Sequence, residues 1–157
     1  HMAWDGLTNP YDKQAMGVFG DAACHKYEFD RTALDAYSAE SVTRAQKAIA
    51  EGAFKDEIAP VTVVTRKGET VVDTDEEPAK IDPSKIPGLR AAFGKDGVLT
   101  AASSSKISDG AAATLVMSAD EAQRRGVTPL ARIVAHATHA QAPEWFTTAP
   151  VDAIRKV

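Results

Sequence analysis

The chain has 157 residues, of which 44% are hydrophobic and 25% charged, and its formal net charge is −4. This composition is typical of soluble globular proteins, and the negative charge argues against a nucleic-acid or anionic-membrane partner. No apolar run approaches the roughly 18 residues that a membrane-spanning helix needs, and the first residues lack the basic-then-apolar pattern of a signal peptide. We expect a cytoplasmic location, since the single cysteine, Cys24, cannot form an internal disulfide and suits a reducing compartment.

The first third of the chain predicts one long helix after a loop-rich start. His1-Met2 is typical of an expression scar, and residues 3–29 carry turn residues with room for a short helix from Met16 to Phe29. Asp30 is a suitable N-cap, and apolar residues then recur at helical spacing until Gly52. This pattern predicts a helix that begins after Asp30 and ends near Gly52.

The middle of the chain predicts a β-hairpin followed by a loop. Residues 58–65 are rich in β-branched side chains, residues 66–69 form a turn, and residues 70–73 form the returning strand. Pro60 cannot donate a hydrogen bond to a strand ladder, so we expect it at a strand start or a sheet edge. Residues 75–87 are charged and interrupted by proline, which predicts a surface loop.

Two later apolar runs predict strands. Residues 89–93 suggest a short helix, and residues 111–117 form a smooth apolar run flanked by turn residues, as in a strand covered on both faces. Pro129 leads into a second predicted strand over residues 130–137.

Two helices complete the predicted elements. Ser118 and Glu121 have the spacing of a capping box, and Gly126 ends the helix that they begin. Pro150 opens another helical pattern, which the sequence carries to Val157.

Cys24 is the one candidate nucleophilic thiol. A reactive cysteine needs a cationic neighbour or a helix N-terminus. His25 does not supply that cation, because adjacent residues of a helix point away from each other. We therefore interpret Cys24 as a buried packing residue.

The histidines do not form a metal or hydrolase site. His136 and His139 would face opposite sides of a strand, whereas zinc needs three or four convergent ligands. Ser104, His136 and Asp109 supply the residue types of a hydrolase triad, but no nucleophile-elbow glycines surround the serine. An unrelated hydrolase stays a minor alternative that an esterase assay would test.

Six segments together resemble the thiolase family, the acetyl-CoA acetyltransferases. They occur in the family's order, near its spacing, and cover nearly the whole chain. The segments are Phe54 to Val61, Val72 to Glu76, Leu89 to Phe93, Asp109 to Ala113, Pro129 to Ile133, and Pro150 to Ile154.

The resemblance implies an α/β fragment: a loop domain plus single strands and helices of the two thiolase half-domains. Residues 3–107 would form the coenzyme A-binding loop domain, and residues 108–126 the last strand and helix of the N-terminal half. Residues 127–157 would begin a truncated C-terminal half. The family transfers acyl groups between coenzyme A and acyl-CoA carbon. Its catalytic cysteines and histidine match no position here, so the resemblance implies no catalytic residue in this chain.

The resemblance also implies a coenzyme A groove and an assembly. The matching positions of the pantetheine and adenine groove are Met16, Ala92, Phe93, Ala101, Ser105 and Ile107, with Lys80 or Lys85 near a phosphate. Coenzyme A or acyl-CoA would be the substrate, with no covalently bound cofactor and no metal. The parent would be a homo-oligomer, and the alternative function of this piece is a non-catalytic oligomerisation or interaction module.

Overall fold

The computed structural model describes residues 2–157, so His1 of the predicted scar lies outside the described residues. Helices and strands both occur, and the contacts divide the chain into two compact units between Ser105 and Lys106. No helix within residues 2–157 is long and apolar enough to cross a membrane. The elements are α1 (Met2–Gly6), α2 (Met16–Lys26), α3 (Arg31–Ala50), β1 (Val61–Thr65), β2 (Gly68–Val72), α4 (Glu77–Lys80), a 3₁₀ helix (Pro83–Gly88), α5 (Ala119–Arg125), a second 3₁₀ helix (Pro143–Thr148) and α6 (Ala149–Lys156).

Helix α3 is the longest element, and both of its ends confirm the sequence prediction. The Asp30 carboxylate accepts a hydrogen bond from the backbone N–H of Ala33 at 2.7 Å, which satisfies one of the free donors of the first turn. At the other end Gly52 has a φ of +70°, and the backbone N–H of Ala53 reaches the carbonyl of Ala48. A residue with a Cβ would be strained at this left-handed position.

The segment after the hairpin is not the surface loop that the sequence suggested. Prolines stand in the first turns of α4 and of the first 3₁₀ helix, where the missing N–H would be unpaired anyway, so they start helices here. Ile86 is only 1% exposed and lies where the 3₁₀ helix packs on α3. Gln46 of α3 donates hydrogen bonds to the carbonyls of Pro78 and Ile81. The helix predicted over residues 89–93 was wrong, because Ala92 pairs instead with Leu99.

The hairpin forms as predicted in the middle of the chain, with Pro60 directly before β1. Strands β1 and β2 pair antiparallel with Val63 opposite Thr70 and Thr65 opposite Gly68, so the turn contains only Arg66 and Lys67. Gly68 has a φ of +121° and therefore belongs to the tight turn as well as to β2.

The second unit, from Lys106 onward, has regular helices but no strand in its described residues. Helix α5 confirms the serine half of the predicted capping box, because the Ser118 hydroxyl accepts from the Glu121 backbone N–H at 3.2 Å, and Gly126 ends the helix with a φ of +67°. The Glu121 side chain instead accepts hydrogen bonds from Arg124 and Arg125. The strands predicted over residues 111–117 and 130–137 were wrong, and Leu115 is 92% exposed. A strand needs a neighbour for its backbone groups, and only β1 and β2 pair in a sheet within the described chain.

Candidate functional site

Of the predicted groove residues, Met16 begins helix α2 and Phe93 packs on it, and a buried carboxylate of this helix fixes the loop that carries Phe93. Asp21 is 8% exposed, and its Oδ1 accepts hydrogen bonds from the backbone N–H groups of Val98 and Leu99, both at 2.9 Å. The loop closes on itself because the Ala92 N–H donates to the Leu99 carbonyl at 2.9 Å. Residues 92–99 are therefore held against α2 without regular secondary structure of their own.

Glycines on α2 allow this close approach. A Cβ atom on Gly17 would lie 2.2 Å from Cδ2 of Phe93, and one on Gly20 would lie 2.5 Å from Cδ1 of Leu99. Only glycine leaves room for these two side chains. Phe93 thus lies over Gly17, the residue after Met16, and the side chains of Phe93 and Met16 remain 37% and 38% exposed. They form a partly open apolar surface.

The next turn carries Ala101 and Ser105. Thr100 is fully buried, and its N–H donates to the Ser103 hydroxyl at 2.8 Å. The Thr100 carbonyl accepts from the Ser104 hydroxyl at 2.7 Å. These bonds fix the backbone between Thr100 and Ser104, while Ala101 and Ser105 stay exposed on either side.

The lysines predicted near a phosphate have carboxylate partners of their own. The Lys80 ammonium lies 2.8 Å from Glu77 and 4.0 Å from Glu76, and its hydrogen bond to Glu77 raises the Lys80 pKa. Lys85 lies 3.6 Å from Asp82. A phosphate would have to compete with these carboxylates for either lysine. Ile107 belongs to the second unit, where it is 62% exposed.

Cys24 lies on α2 with its side chain buried, one helical turn after Asp21. Burial raises the pKa of the thiol, and the negative charge of Asp21 raises it further. Both effects disfavour the thiolate, which is the nucleophilic form. These surroundings agree with the interpretation of Cys24 as a packing residue.

The histidine region of the second unit is a polar cluster. His139 Nε2 lies 3.5 Å from Asp152 and 3.3 Å from the Gln141 side chain, and its Nδ1 lies 3.4 Å from the Lys156 ammonium. His136 is exposed, on an irregular segment rather than on the expected strand. In the described part of the chain no three His, Cys, Asp or Glu residues converge as a metal-ligand set.

A separate cavity of about 730 Å³ lies between the end of α3 and the base of the hairpin. Ile49, Phe54 and Ile58 contribute apolar side chains to it, and Glu57, Asp73 and Asp75 contribute carboxylates. None of the predicted groove residues lines this cavity. This cavity is therefore distinct from the surface that the sequence suggested.

Sequence reasoning missed the residues that hold the loop in place. The sequence did not indicate the structural role of Asp21, because an acidic residue within a helix usually faces water. Arg31 was also missed: its Nε donates to both oxygens of Asp35 at 2.8 Å, and its Nη2 donates to the Leu89 carbonyl at 2.7 Å. The bonds from Asp21 to Val98 and from Arg31 to Leu89 join residues more than 50 positions apart, so no local pattern could have indicated them.

Comparison with known proteins gives consistent matches along the chain. The model of the thiolase N-terminal domain family matches residues 1–120. The acetyl-CoA acetyltransferase of Paracoccus denitrificans is 43% identical over 99% of this chain. The crystal structure of the Bacillus anthracis acetyl-CoA acetyltransferase is 38% identical over 98% of the chain, with a TM-score of 0.91.

A thiolase from Ascaris suum, solved in complex with coenzyme A, is 36% identical over 99% of the chain with a TM-score of 0.85. The chain spans about 40% of the length of the relatives that it matches: 40% of the Paracoccus protein, 39% of the Bacillus chain and 40% of the Ascaris chain.

Proposed function

This chain belongs to the thiolase family, and from that membership we propose that it is the coenzyme A-binding portion of an acetyl-CoA acetyltransferase. The whole protein would transfer an acyl group between coenzyme A and the carbon of a second acyl-CoA, by thiolysis or by Claisen condensation. The relative solved with coenzyme A supports this ligand. No covalently bound cofactor is part of the proposal.

The observation that carries the proposal is the joint placement of Met16 and Phe93. Met16 is the first residue of α2, and Phe93 lies against the neighbouring Gly17 on a loop that Asp21 fixes. Both side chains are half-exposed. Pantetheine is a thin chain that needs an apolar slot and a few polar contacts. Phe93 and Met16 would supply one wall of that slot, with Ala92 and Ala101 beside them.

The polar and charged contacts complete the proposed site. The exposed Ser105 would provide a hydrogen bond. Lys80 would bind a phosphate once its ion pair with Glu77 is broken. The assignment of Ile107 rests on the resemblance alone. We expect the lysine to contribute least, because an exposed lysine that already has carboxylate partners gains little from another anion.

We further propose that this chain alone does not catalyse acyl transfer. Cys24 is its only thiol, and burial and Asp21 both raise the pKa of that thiol. The chain should show no turnover of acetoacetyl-CoA. Turnover that a Cys24→Ser variant abolishes would contradict this part of the proposal. We propose a cytoplasmic location because the single cysteine cannot form an internal disulfide and suits a reducing compartment.

Ligand-observed NMR or calorimetry with coenzyme A tests the proposal directly. We expect a dissociation constant on the order of 0.1–10 mM, since one wall of a micromolar site retains only part of the contact energy, and about 1.4 kcal/mol is tenfold in affinity. Phe93→Ala should weaken binding about three- to tenfold by removing an aromatic contact. Phe54→Ala is the matched control, because Phe54 is 44% exposed and lines the separate cavity.

Two outcomes would count against coenzyme A binding. One is the absence of binding at millimolar ligand while circular dichroism shows a folded chain. The other is an equal loss of affinity in the Phe93→Ala and Phe54→Ala variants, because that would place the ligand away from α2.

The second candidate function is an assembly module, and the hairpin favours it. Every residue of β1 and β2 is exposed, including valines on both strands. A homo-oligomer in which this hairpin contacts another copy would account for that exposure. Sedimentation without coenzyme A separates this role from ligand binding.

A further inference from the structure

Asp21 of α2 binds one end of the loop formed by residues 92–99. Its Oδ1 accepts hydrogen bonds from the backbone N–H groups of Val98 and Leu99, both at 2.9 Å. Hydrogen bonds to an ionised acceptor are stronger than those between neutral groups. The Asp21 residue is only 8% exposed, so water competes little for these two donors. The carboxylate therefore holds the loop by two charge-assisted bonds in a site that excludes most water.

The second carboxylate oxygen of Asp21 lies against a glycine of the same loop. A Cβ atom on Gly97 would lie 2.4 Å from Oδ2, so only glycine allows the backbone to approach this closely. Gly97 closes a turn with Gly94, whose carbonyl accepts from the Gly97 N–H at 3.2 Å. A Cβ atom on Gly94 would meet nothing within 4 Å. Of the two glycines in this turn, only Gly97 is needed for the contact with Asp21.

The bond from Leu99 to Asp21 also determines where Phe93 lies. The Leu99 carbonyl accepts from the N–H of Ala92 at 2.9 Å, and Ala92 directly precedes Phe93. The Phe93 ring lies over Gly17, where a Cβ atom would be 2.2 Å from Cδ2. Because glycine offers the ring no side chain to pack on, α2 alone does little to keep the ring in place. The position of the ring therefore depends on the loop backbone.

We propose that Asp21 is a positioning residue for coenzyme A, which holds Phe93 in the place that ligand binding needs. The inference rests on the proposed function, because it takes Phe93 as part of the coenzyme A groove. Both carboxylate oxygens of Asp21 lie against the loop backbone, so this residue acts on the ligand only through the loop. A groove wall that is already ordered before binding saves the free energy of ordering it with the ligand.

The affinity of the Asp21→Ala variant for coenzyme A, measured by ligand-observed NMR, tests this role. The dissociation constant should rise about three- to tenfold, as for Phe93→Ala, because the ring is then no longer held. Asp21→Asn keeps an oxygen that accepts from Val98 and Leu99, so it should lose less than about threefold. Circular dichroism establishes that both variants stay folded. A folded Asp21→Ala variant that binds as tightly as the unsubstituted chain would overturn the inference.

Gly97→Ala disturbs the same contact from the loop and leaves the carboxylate in the chain. Its added methyl group displaces Asp21, so the dissociation constant should rise by a similar factor. Gly94→Ala is the matched control in the same turn, and it should bind coenzyme A as the unsubstituted chain does. Equal effects of the two glycine substitutions would overturn the assignment, because they would trace the loss to the turn rather than to Asp21.

A double variant distinguishes positioning from a general loss of stability. If Asp21 acts through Phe93, Asp21→Ala combined with Phe93→Ala should bind about as weakly as Phe93→Ala alone, because the two changes remove the same contact. A dissociation constant that rises by the product of the two single effects would overturn the inference.

The Phe93 ring also gives a measurement that needs no ligand. An aromatic ring shifts the NMR signals of protons held against its face, so the α protons of Gly17 report the ring position. Asp21→Ala and Gly97→Ala should move these signals toward their values in Phe93→Ala, and Gly94→Ala should not. Unchanged Gly17 signals in Asp21→Ala would overturn the inference. Failure of the unsubstituted chain to bind coenzyme A would instead contradict the proposed function, so the two failures are distinguishable.

Discussion

The two units of the chain both contain long stretches without regular secondary structure, but they stabilise them differently. In the first unit, residues 92–99 lie against α2 because the buried Asp21 accepts hydrogen bonds from their backbone, and the buried Thr100 fixes the turn that follows. In the second unit, residues 111–117 have a more apolar sequence and yet stay exposed throughout. An irregular segment is thus fixed by matched polar groups and a neighbouring surface. Apolar composition alone does not fix it.

Replacing one buried isoleucine should give the largest difference between the units. Ile86→Ala leaves a cavity under α3 and should lower the free energy of unfolding of the first unit by about 3 kcal/mol. Ile133→Ala makes the same change at a residue that is 75% exposed in the second unit, and should alter stability by less than about 0.5 kcal/mol. Urea titration followed by the indole NMR signals of Trp4 and Trp145 reports each unit separately.

Equal effects of the two isoleucine substitutions would contradict the conclusion that the two units are stabilised differently. They would mean that residues 130–137 pack in solution as the apolar pattern predicts. The indole signals also show whether each effect stays in its own unit, because one tryptophan lies in each.

The carboxylate of Asp21 should have the next largest effect. Asp21→Ala leaves two partly buried backbone N–H groups, on Val98 and Leu99, without their acceptor. An unsatisfied buried donor costs about 1–3 kcal/mol, so we expect a loss of roughly 2 kcal/mol in the first unit. Asp12→Ala is the control, because its exposed carboxylate binds only the neighbouring Gln14. Faster amide hydrogen exchange at Val98 and Leu99 in the Asp21 variant alone would show that the lost stability comes from this loop.

Local signals in the sequence predicted most of the elements that the structure contains. The caps Asp30 and Ser118 and the terminal glycines Gly52 and Gly126 act within one turn of their own helix, so their positions alone fixed the ends of α3 and α5. The hairpin followed from β-branched runs around a short turn. Each of these patterns depends on neighbours only a few residues away.

The remaining elements depended on distant partners. The two predicted strands of the second unit failed because β pairing needs a neighbour that periodicity does not reveal. Prolines near residue 83 were interpreted as breakers, although proline also begins helices, and only the packing of Ile86 on α3 distinguishes the two cases.

The candidate site also contains some features that the sequence predicted and others that depend on contacts between distant residues. The resemblance supplied Met16 and Phe93, and the structure places them on facing elements. The sequence did not reveal that Asp21 binds the backbone of the loop or that Glu77 forms an ion pair with Lys80, because both contacts depend on side-chain geometry.

Removing the cap of α5 should have a smaller effect, confined to the second unit. Ser118→Ala deletes the acceptor for the Glu121 N–H and should destabilise the helix by about 1 kcal/mol. Ser41→Ala is the matched control within α3, at an exposed mid-helix position where alanine is the better helix former. Carbon chemical shifts of residues 119–125 measure the helix population. An unchanged population in the Ser118 variant would show that packing, rather than capping, holds α5.

The smallest effect should be an acid-induced loosening of α5. Hydrogen bonds from Arg124 and then Arg125 lower the pKa of Glu121 below the ordinary glutamate value near 4.5. A carboxyl with a lowered pKa in the folded state stabilises that state above its unfolded pKa, and the contribution is lost as the pH falls through the folded pKa. The helix population should therefore be constant above about pH 5 and decline below the ordinary glutamate pKa. Glu121→Gln should abolish this dependence, and Asp120→Asn, one residue earlier in the same turn, should retain it. A pH dependence that survives in Glu121→Gln would assign the transition to another carboxylate.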